Sequence, residues 1–98
     1  MILKPIEFAE SAICDLEEIL AWYAEQHVPD AGERLVREIF ARTGQLADFP
    51  ESGRIVPEFE VKTIRELLHP PFRLVYRIDP AKIWIVRMWR SERLLRLP

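Results

Sequence analysis

The 98-residue chain is 49% hydrophobic and 10% aromatic, which excludes a disordered protein and predicts one small domain over residues 1–98. It has no run of 18 apolar residues, no signal-peptide pattern and only one cysteine, which together favour a cytoplasmic protein without a membrane partner. We expect that cysteine, Cys14, to be a small buried hydrophobic residue. The net charge of −2 is unevenly divided: residues 1–60 hold 13 acids and 5 bases, whereas residues 61–98 hold 3 acids and 9 bases. We therefore expect the C-terminal part to form a basic face that binds nucleic acid, an acidic protein segment or a phosphorylated ligand.

The first half of the chain is predicted to form a short strand and two helices. Residues 2–8 have strand character, and Pro5 among them favours the edge of a sheet. Over residues 9–26, apolar side chains recur at spacings of three and four, the period of one helix face. Pro29 suits the first turn of a second helix, which residues 49–53 end. Two consecutive helices with a short break predict an antiparallel hairpin.

After the helices the apolar period changes to two, which is typical of strands. Residues 54–59 are predicted to be a short strand or an extended arm, and residues 61–68 a strand. The strongest strand patterns cover residues 72–78 and 83–90, joined by the turn sequence Asp79-Pro80-Ala81-Lys82. The order β-α-α-β-β-β predicts an α+β fold, with the helix hairpin packed on an antiparallel sheet of three or four strands.

A regular hairpin at this turn sorts the side chains of the last two strands into two faces, with Ile78 opposite Ile83. The face predicted to pack on the helices consists of Phe72, Leu74, Tyr76, Ile78, Ile83 and Ile85, with Arg87 and Trp89 at its far end. The open face is predicted to carry Arg73, Val75, Arg77, Trp84, Val86 and Met88. A register slip of one residue would exchange these two sets.

Four segments in order carry a resemblance to a known family. They are the helical pattern Ala12, Asp15-Leu16, Ile19 and Tyr23, then Pro50-x-x-Gly53-Arg54, then Arg65-Glu66-Leu67-Leu68, and finally Phe72-Arg73-Leu74-Val75-Tyr76-Arg77-Ile78. Together they resemble the ParE/RelE toxins of bacterial toxin–antitoxin modules. The similarity covers nearly the whole chain, and the fold it implies, a helical hairpin against a mostly antiparallel sheet, agrees with the elements predicted above.

The resemblance implies a toxin held silent by a cognate antitoxin, with DNA contacted only through that antitoxin. RelE-like members cut messenger RNA on the ribosome, whereas ParE-like members inhibit DNA gyrase. Because phosphate neutralisation supplies much of the affinity for RNA, a net charge of −2 favours ParE-like inhibition. A ribosome-dependent mRNA endonuclease is the alternative, and a degenerate toxin kept only as an antitoxin partner is a third hypothesis.

RNA cleavage without a metal needs a base, an acid and cations for the developing phosphorane charge. By resemblance, Arg73 and Arg93 match arginines that RelE-like nucleases place on the phosphate. Glu66 falls where those nucleases carry a lysine, and would serve only as a base. Residues 90–98 contain neither the tyrosine nor the His-Tyr pair of the nucleases. We therefore lean against an enzyme and assign no catalytic residue. No His/Cys pair has metal-ligand spacing, so we expect no metal and no cofactor.

The open sheet face is the predicted binding site for the antitoxin or the target. Arg73 and Arg77 lie four residues apart on one strand, an even spacing, and therefore point the same way. The complete predicted surface consists of Arg65, Arg73, Arg77, Trp84, Arg87, Trp89, Arg90 and Arg93. We expect the antitoxin to supply a disordered, acidic and apolar segment that folds on this surface. Ion pairing within the chain is the alternative explanation for these arginines.

Overall fold

The computed structural model describes residues 3–90. They form two helices and a five-stranded sheet, which confirms the predicted α+β class and the helix hairpin. The elements are β1 (Ile6–Phe8), α1 (Glu10–Glu25), α2 (Pro29–Gly44), β2 (Arg54–Ile55), β3 (Ile64–His69), β4 (Phe72–Ile78) and β5 (Ile83–Arg90). A 3₁₀ turn, Gln45–Ala47, extends α2.

The sheet order is β1-β5-β4-β3-β2. Strands β2 to β5 pair antiparallel with their neighbours in sequence. By contrast, β1 lies parallel to β5, with Ile6 opposite Ile83 and Phe8 opposite Ile85. The sheet therefore has five strands rather than three or four, because the N-terminal strand joins its far edge.

The two helices pack closely and bury one face each. Val28 precedes α2, and Pro29 occupies the first turn of that helix, as predicted. At Gly32 the helices approach so closely that an added Cβ would lie 2.9 Å from the Cβ of Tyr23. Cys14 is exposed on α1, so the expectation that it is buried was wrong.

The main core lies between the helices and one face of the sheet. Its buried members are Ala12, Leu16, Ile19, Leu35, Ile39, Leu46, Leu67, Phe72, Leu74, Tyr76, Ile83, Ile85 and Met88. This set includes most of the predicted packed face of β4 and β5. The apolar face of each helix packs against these strands, which removes apolar surface of both layers from water.

The β4–β5 hairpin begins in the predicted register and then shifts. Ile78 lies opposite Ile83, and the Asp79 amide donates to the Lys82 carbonyl at 2.9 Å. Farther along, Tyr76 lies opposite Ile85 but Val75 lies opposite Arg87, so Val86 is an additional residue in β5. Such a bulge reverses the alternation of every residue that follows it.

The bulge corrects the predicted faces at the end of β5. Met88 was predicted on the open face but is buried in the main core. Arg87 and Trp89 were predicted on the packed face, but they lie opposite Val75 and Arg73 and so belong to the outer face, the one turned away from the helices. The hairpin turn alone therefore set the register correctly only as far as Ile85.

Two glycines of α2 provide a matched test of helix packing. We expect Gly32→Ala to lower the free energy of unfolding by about 1–3 kcal/mol, because the new methyl group overlaps Tyr23. Gly44→Ala is expected to raise it by about 0.5–1 kcal/mol, because Gly44 has helical dihedrals and an open site. Urea unfolding followed by circular dichroism measures both, and equal effects of the two changes would contradict this packing.

Candidate functional site

Residues 56–63, called here the covering segment, fold over part of the outer sheet face. Val56 is fully buried against Val75 in a second apolar cluster. The partly buried side chains around this pair are Phe59, Ile64, Val86 and Trp89. The face that was predicted to be open is therefore partly closed by the chain's own β2–β3 connection.

Beneath the covering segment, the Arg73 guanidinium is held by two carboxylates. Its Nε donates to Glu66 Oε1 at 2.5 Å, and its Nη1 and Nη2 donate to the two carboxylate oxygens of Glu58 at 2.8 and 2.9 Å. The other oxygen of Glu66 accepts from Arg54 Nε at 2.6 Å. Hydrogen bonding to Glu58, opposed in part by burial, raises the pKa of Arg73 above its ordinary value.

Arg73 and Arg77 share the outer face, yet their surroundings differ. Arg73 is only 7% exposed, and all three of its guanidinium nitrogens donate to carboxylates of the chain. Arg77 pairs with Asp79 at 3.1 Å, and 49% of its side chain is exposed. Exposed ion pairs of this kind contribute less than about 1 kcal/mol, so Arg77 can exchange its partner at small cost. Arg73 cannot do so without opening a buried network.

Arg65 donates hydrogen bonds to backbone carbonyls, one of which belongs to the turn that precedes β2. Its Nε donates to the Lys62 carbonyl and its Nη1 to the Gly53 carbonyl, both at 3.0 Å. Arg65 and Glu66, which are adjacent in the segment that resembles the family, do not pair with each other. Glu66 points to the outer face and pairs with arginines there. The sequence did not reveal this role, since carbonyl acceptors leave no residue signature.

Tyr76 fixes the same turn from the core side. Its hydroxyl donates to the Pro50 carbonyl at 2.8 Å and accepts from the Gly53 amide at 2.9 Å. A Cβ on Gly53 would lie 2.6 Å from both that hydroxyl and the Glu66 carbonyl, so only glycine fits. Burial raises the pKa of Tyr76, although the Gly53 amide acts in the opposite direction.

Helix α1 covers the edge of β5 beyond its pairing with β1. Ser11 Oγ donates to the Val86 carbonyl at 2.6 Å, and Asp15 Oδ2 accepts from the Met88 amide at 2.9 Å. Arg87 donates from Nε and Nη2 to the same carboxylate at 2.8 and 3.1 Å. An acid at position 15 beside buried Leu16 was the available sequence signal for this contact.

Cations stack on aromatic rings along β5. Lys82 Nζ lies 5.1 Å from the centre of the Trp84 ring, and Arg87 Cζ lies 4.9 Å from that of Trp89. Trp84 is opposite Arg77 in the ladder, so both tryptophans belong to the outer face. Sequence reasoning included these residues except Lys82, which was assigned only to the turn.

The structure thus divides the predicted binding residues into groups. It brings together Arg77, Trp84, Arg87 and Trp89 on the outer face near β5, and places Arg73 beneath the covering segment and Arg65 at the turn. Arg90 lies opposite Phe72 and over its ring at the end of the strand. Arg93 lies outside the described residues.

Other site types find no support in residues 3–90. No group of three or more histidine, cysteine, aspartate or glutamate side chains there is arranged to hold a metal ion. Within the same range, neither helix has the length and apolar character needed to cross a bilayer. The cations and aromatic rings of the outer face are groups that can contact anionic and apolar partners.

Comparison with known proteins places this arrangement in a family. The model described as ParE toxin of type II toxin–antitoxin system, parDE, matches residues 6–95. The chain belongs to the ParE toxin family. It is a toxin of a type II toxin–antitoxin system, and membership of the ParE family implies a cognate antitoxin as partner.

Curated relatives and a solved structure agree with this ParE-family assignment. "Putative toxin Y4kP" of Sinorhizobium fredii is 37% identical over 81 residues, covering 81% of this chain and 80% of that protein. "Toxin RelE2" of Caulobacter vibrioides is 32% identical over 84 residues, covering 85% and 90%. A chain from the structure titled "Chromosomal ParDE TA system from P. aeruginosa" is 26% identical with a TM-score of 0.75, covering 90% of this chain and 96% of that one.

Arg73 is expected to be important for stability. Arg73→Ala leaves Glu66 and Glu58 without their shared cation, which should cost about 3–5 kcal/mol of unfolding free energy. Arg77→Ala, four residues along the same strand, should cost less than about 1 kcal/mol because its ion pair is exposed. Urea unfolding of both variants tests this, and a small loss for Arg73→Ala would show that the buried network contributes little.

Tyr76 should make stability fall at alkaline pH. Its pKa is raised in the folded state above the ordinary value of 10.0, so the stabilisation is fully present below pH 10.0 and is lost as the pH rises through the folded value. Tyr76→Phe should therefore flatten the decline and cost about 1–3 kcal/mol at neutral pH, where it leaves the Gly53 amide and Pro50 carbonyl unpaired.

Urea midpoints between pH 8 and 11 measure this dependence, with Tyr23→Phe as the matched control. Tyr23 lies against α2 near Gly32 and makes no comparable contact with the turn. An alkaline decline that is the same in Tyr76→Phe as in the unmodified protein would contradict the assignment.

Proposed function

We propose that this toxin inhibits DNA gyrase by binding it, without chemistry of its own. The observation that carries the proposal is the environment of Arg73, the strand arginine that resembles a phosphate-binding arginine of the RelE-like nucleases. Its guanidinium is already occupied by Glu58 and Glu66. The parDE description of the matching family model supports the same choice.

Catalysis of RNA cleavage requires preorganised cations at the phosphate, where one such group contributes several kcal/mol. For Arg73 to reach a phosphate, the Glu58 carboxylate and the covering segment would have to move away. Glu66 is equally unsuited to be the base, because its side chain is fully buried and both carboxylate oxygens accept from arginines. Of the residues that resemble nuclease groups, this leaves Arg93, which the structure does not describe.

The competing function is ribosome-dependent cleavage of messenger RNA, which the similarity to Toxin RelE2 favours. A degenerate toxin that retains only antitoxin binding is the third hypothesis. Gyrase and the ribosome are both cytoplasmic, so either target fits the location expected from the sequence. These hypotheses differ in what the purified toxin does to two isolated systems.

We expect the toxin to reduce negative supercoiling by gyrase and to leave messenger RNA on programmed ribosomes intact. A supercoiling assay and a ribosome-programmed cleavage assay, run with the same preparation, measure the two activities. Addition of the cognate antitoxin should restore supercoiling, since binding of the antitoxin removes free toxin. Cleavage without loss of supercoiling, or inactivity in both assays with tight antitoxin binding, would reject the proposal.

Arg93→Ala is the informative variant, because Arg73→Ala also disrupts a buried network. For a nuclease that uses Arg93 on the phosphate, the cleavage rate should fall by about a hundredfold or more. For a gyrase inhibitor, the half-inhibitory concentration should change by an amount that depends on how centrally Arg93 lies in the interface with gyrase. Arg34→Ala, an exposed arginine on α2, is a control for the loss of one positive charge.

A further inference from the structure

The covering segment is joined to the sheet at its two ends. At one end the Val56 amide donates to the Ile64 carbonyl at 3.2 Å, and at the other the Ile78 amide donates to the Thr63 carbonyl at 2.8 Å. The first bond continues the ladder between β2 and β3, and the second continues the ladder between β3 and β4. The ends of the segment are therefore fixed by the sheet itself.

The described backbone hydrogen bonds in the middle of the segment stay within it. The amides of Phe59 and Glu60 both donate to the Val56 carbonyl, at 3.1 and 3.0 Å, which closes a turn. Glu60 has a φ of 53°, a left-handed conformation that is unfavourable for a residue with a side chain. Val61, the next residue, is 44% exposed. A turn with internal bonds and exposed side chains can open while the sheet beneath it stays folded.

Glu58 and Phe59 hold this turn against the outer face. The Glu58 carboxylate accepts from Nη1 and Nη2 of Arg73 at 2.8 and 2.9 Å, and Phe59 packs on the cluster of Val56 and Val75. Hydrogen bonds between two ions in this paired geometry are among the strongest that side chains form. The Glu58 side chain is nevertheless 23% exposed, so water can reach it from outside.

Arg73 keeps a partner in the sheet when Glu58 leaves. Its Nε donates to Glu66 Oε1, and Glu66 belongs to β3. Opening of the turn therefore exposes the two terminal nitrogens of a guanidinium that Glu66 still holds in place. Water reaches those nitrogens as the turn moves away, so the charge of Arg73 is not left buried without a partner.

We propose that the covering segment is a lid on the outer sheet face, with its fixed ends at Val56 and Thr63, and that the Glu58–Arg73 ion pair is the latch that keeps it closed. With the lid closed, Arg73 and Val75 are buried. With the lid open, both face solvent. The latch thereby determines how often this part of the outer face is accessible. The lid is a property of the toxin alone and does not depend on the target proposed above.

Hydrogen exchange of the full-length toxin, followed by NMR at several urea concentrations below the unfolding transition, measures the opening. In the unmodified toxin, we expect exchange of the Phe59 and Glu60 amides to depend only weakly on urea, because opening of the lid exposes little surface. Exchange of the amides of β4 should rise steeply with urea, since the core must unfold to release them. Lid amides with the same urea dependence as those of β4 would overturn the proposal, whether or not any variant folds.

The latch is tested by Glu58→Gln, which keeps the size of the side chain but removes its charge. We expect the Phe59 amide to exchange about tenfold faster or more than in the unmodified toxin, because the paired ionic bonds are lost. Glu60→Gln is the matched control, with the same change at an exposed acid of the same turn. Its effect should stay within about threefold. Equal effects of the two substitutions would show that the Glu58–Arg73 pair is not the latch.

Arginine modification measures access to the covered face directly. Phenylglyoxal adds to the terminal nitrogens of a guanidinium, and in Arg73 both of these nitrogens are bound to Glu58. Mass spectrometry of the labelled peptides should show Arg73 reacting about tenfold faster or more in Glu58→Gln than in the unmodified toxin. Arg77, whose side chain is 49% exposed, should react at the same rate in both proteins. Equal protection of Arg73 in both proteins would overturn the control of access by the lid.

Discussion

The Arg73 guanidinium joins the sheet to the segment that covers it. Glu66 on β3 and Glu58 in the covering segment both accept from this one side chain, and Arg54 on β2 completes the charges around Glu66. Because a buried ion is costly without partners, the network stabilises the position of the covering segment in which Val56 packs against Val75. Arg73 is thus buried with its two carboxylate partners, whereas Arg77 on the same strand stays exposed.

Much of the fold could be predicted because its signals are local. The helix period, Pro29 and the Asp79–Lys82 turn depend on neighbouring residues, and the bounds of β4 and β5 agree with their alternation. The parallel pairing of β1 with β5 joins residues about 77 positions apart, and no short-range pattern marks it. The bulge at Val86 was missed for a related reason, since one additional residue in a run of apolar side chains leaves the alternation ambiguous.

The candidate site was predictable in composition but not in arrangement. The alternation placed Arg77 and Trp84 together on the outer face, and they lie opposite each other there, whereas it placed Trp89 on the packed face, which the bulge in β5 corrects. Which arginine is exposed depends on Glu58, from a segment whose path over the sheet has no sequence signature. Arg73 and Arg77 are chemically identical, but the covering segment buries the first and leaves the second exposed. Neither residue indicates this difference in the sequence.

The covering of the β5 edge by α1 has a consequence for the toxin when it is alone. An exposed strand edge is a template on which a second chain can add by backbone pairing, which begins aggregation. Ser11 and Asp15 already satisfy the Val86 carbonyl and the Met88 amide, so this stretch offers no such template. The free toxin is therefore protected from self-assembly along this stretch of β5 by its own first helix.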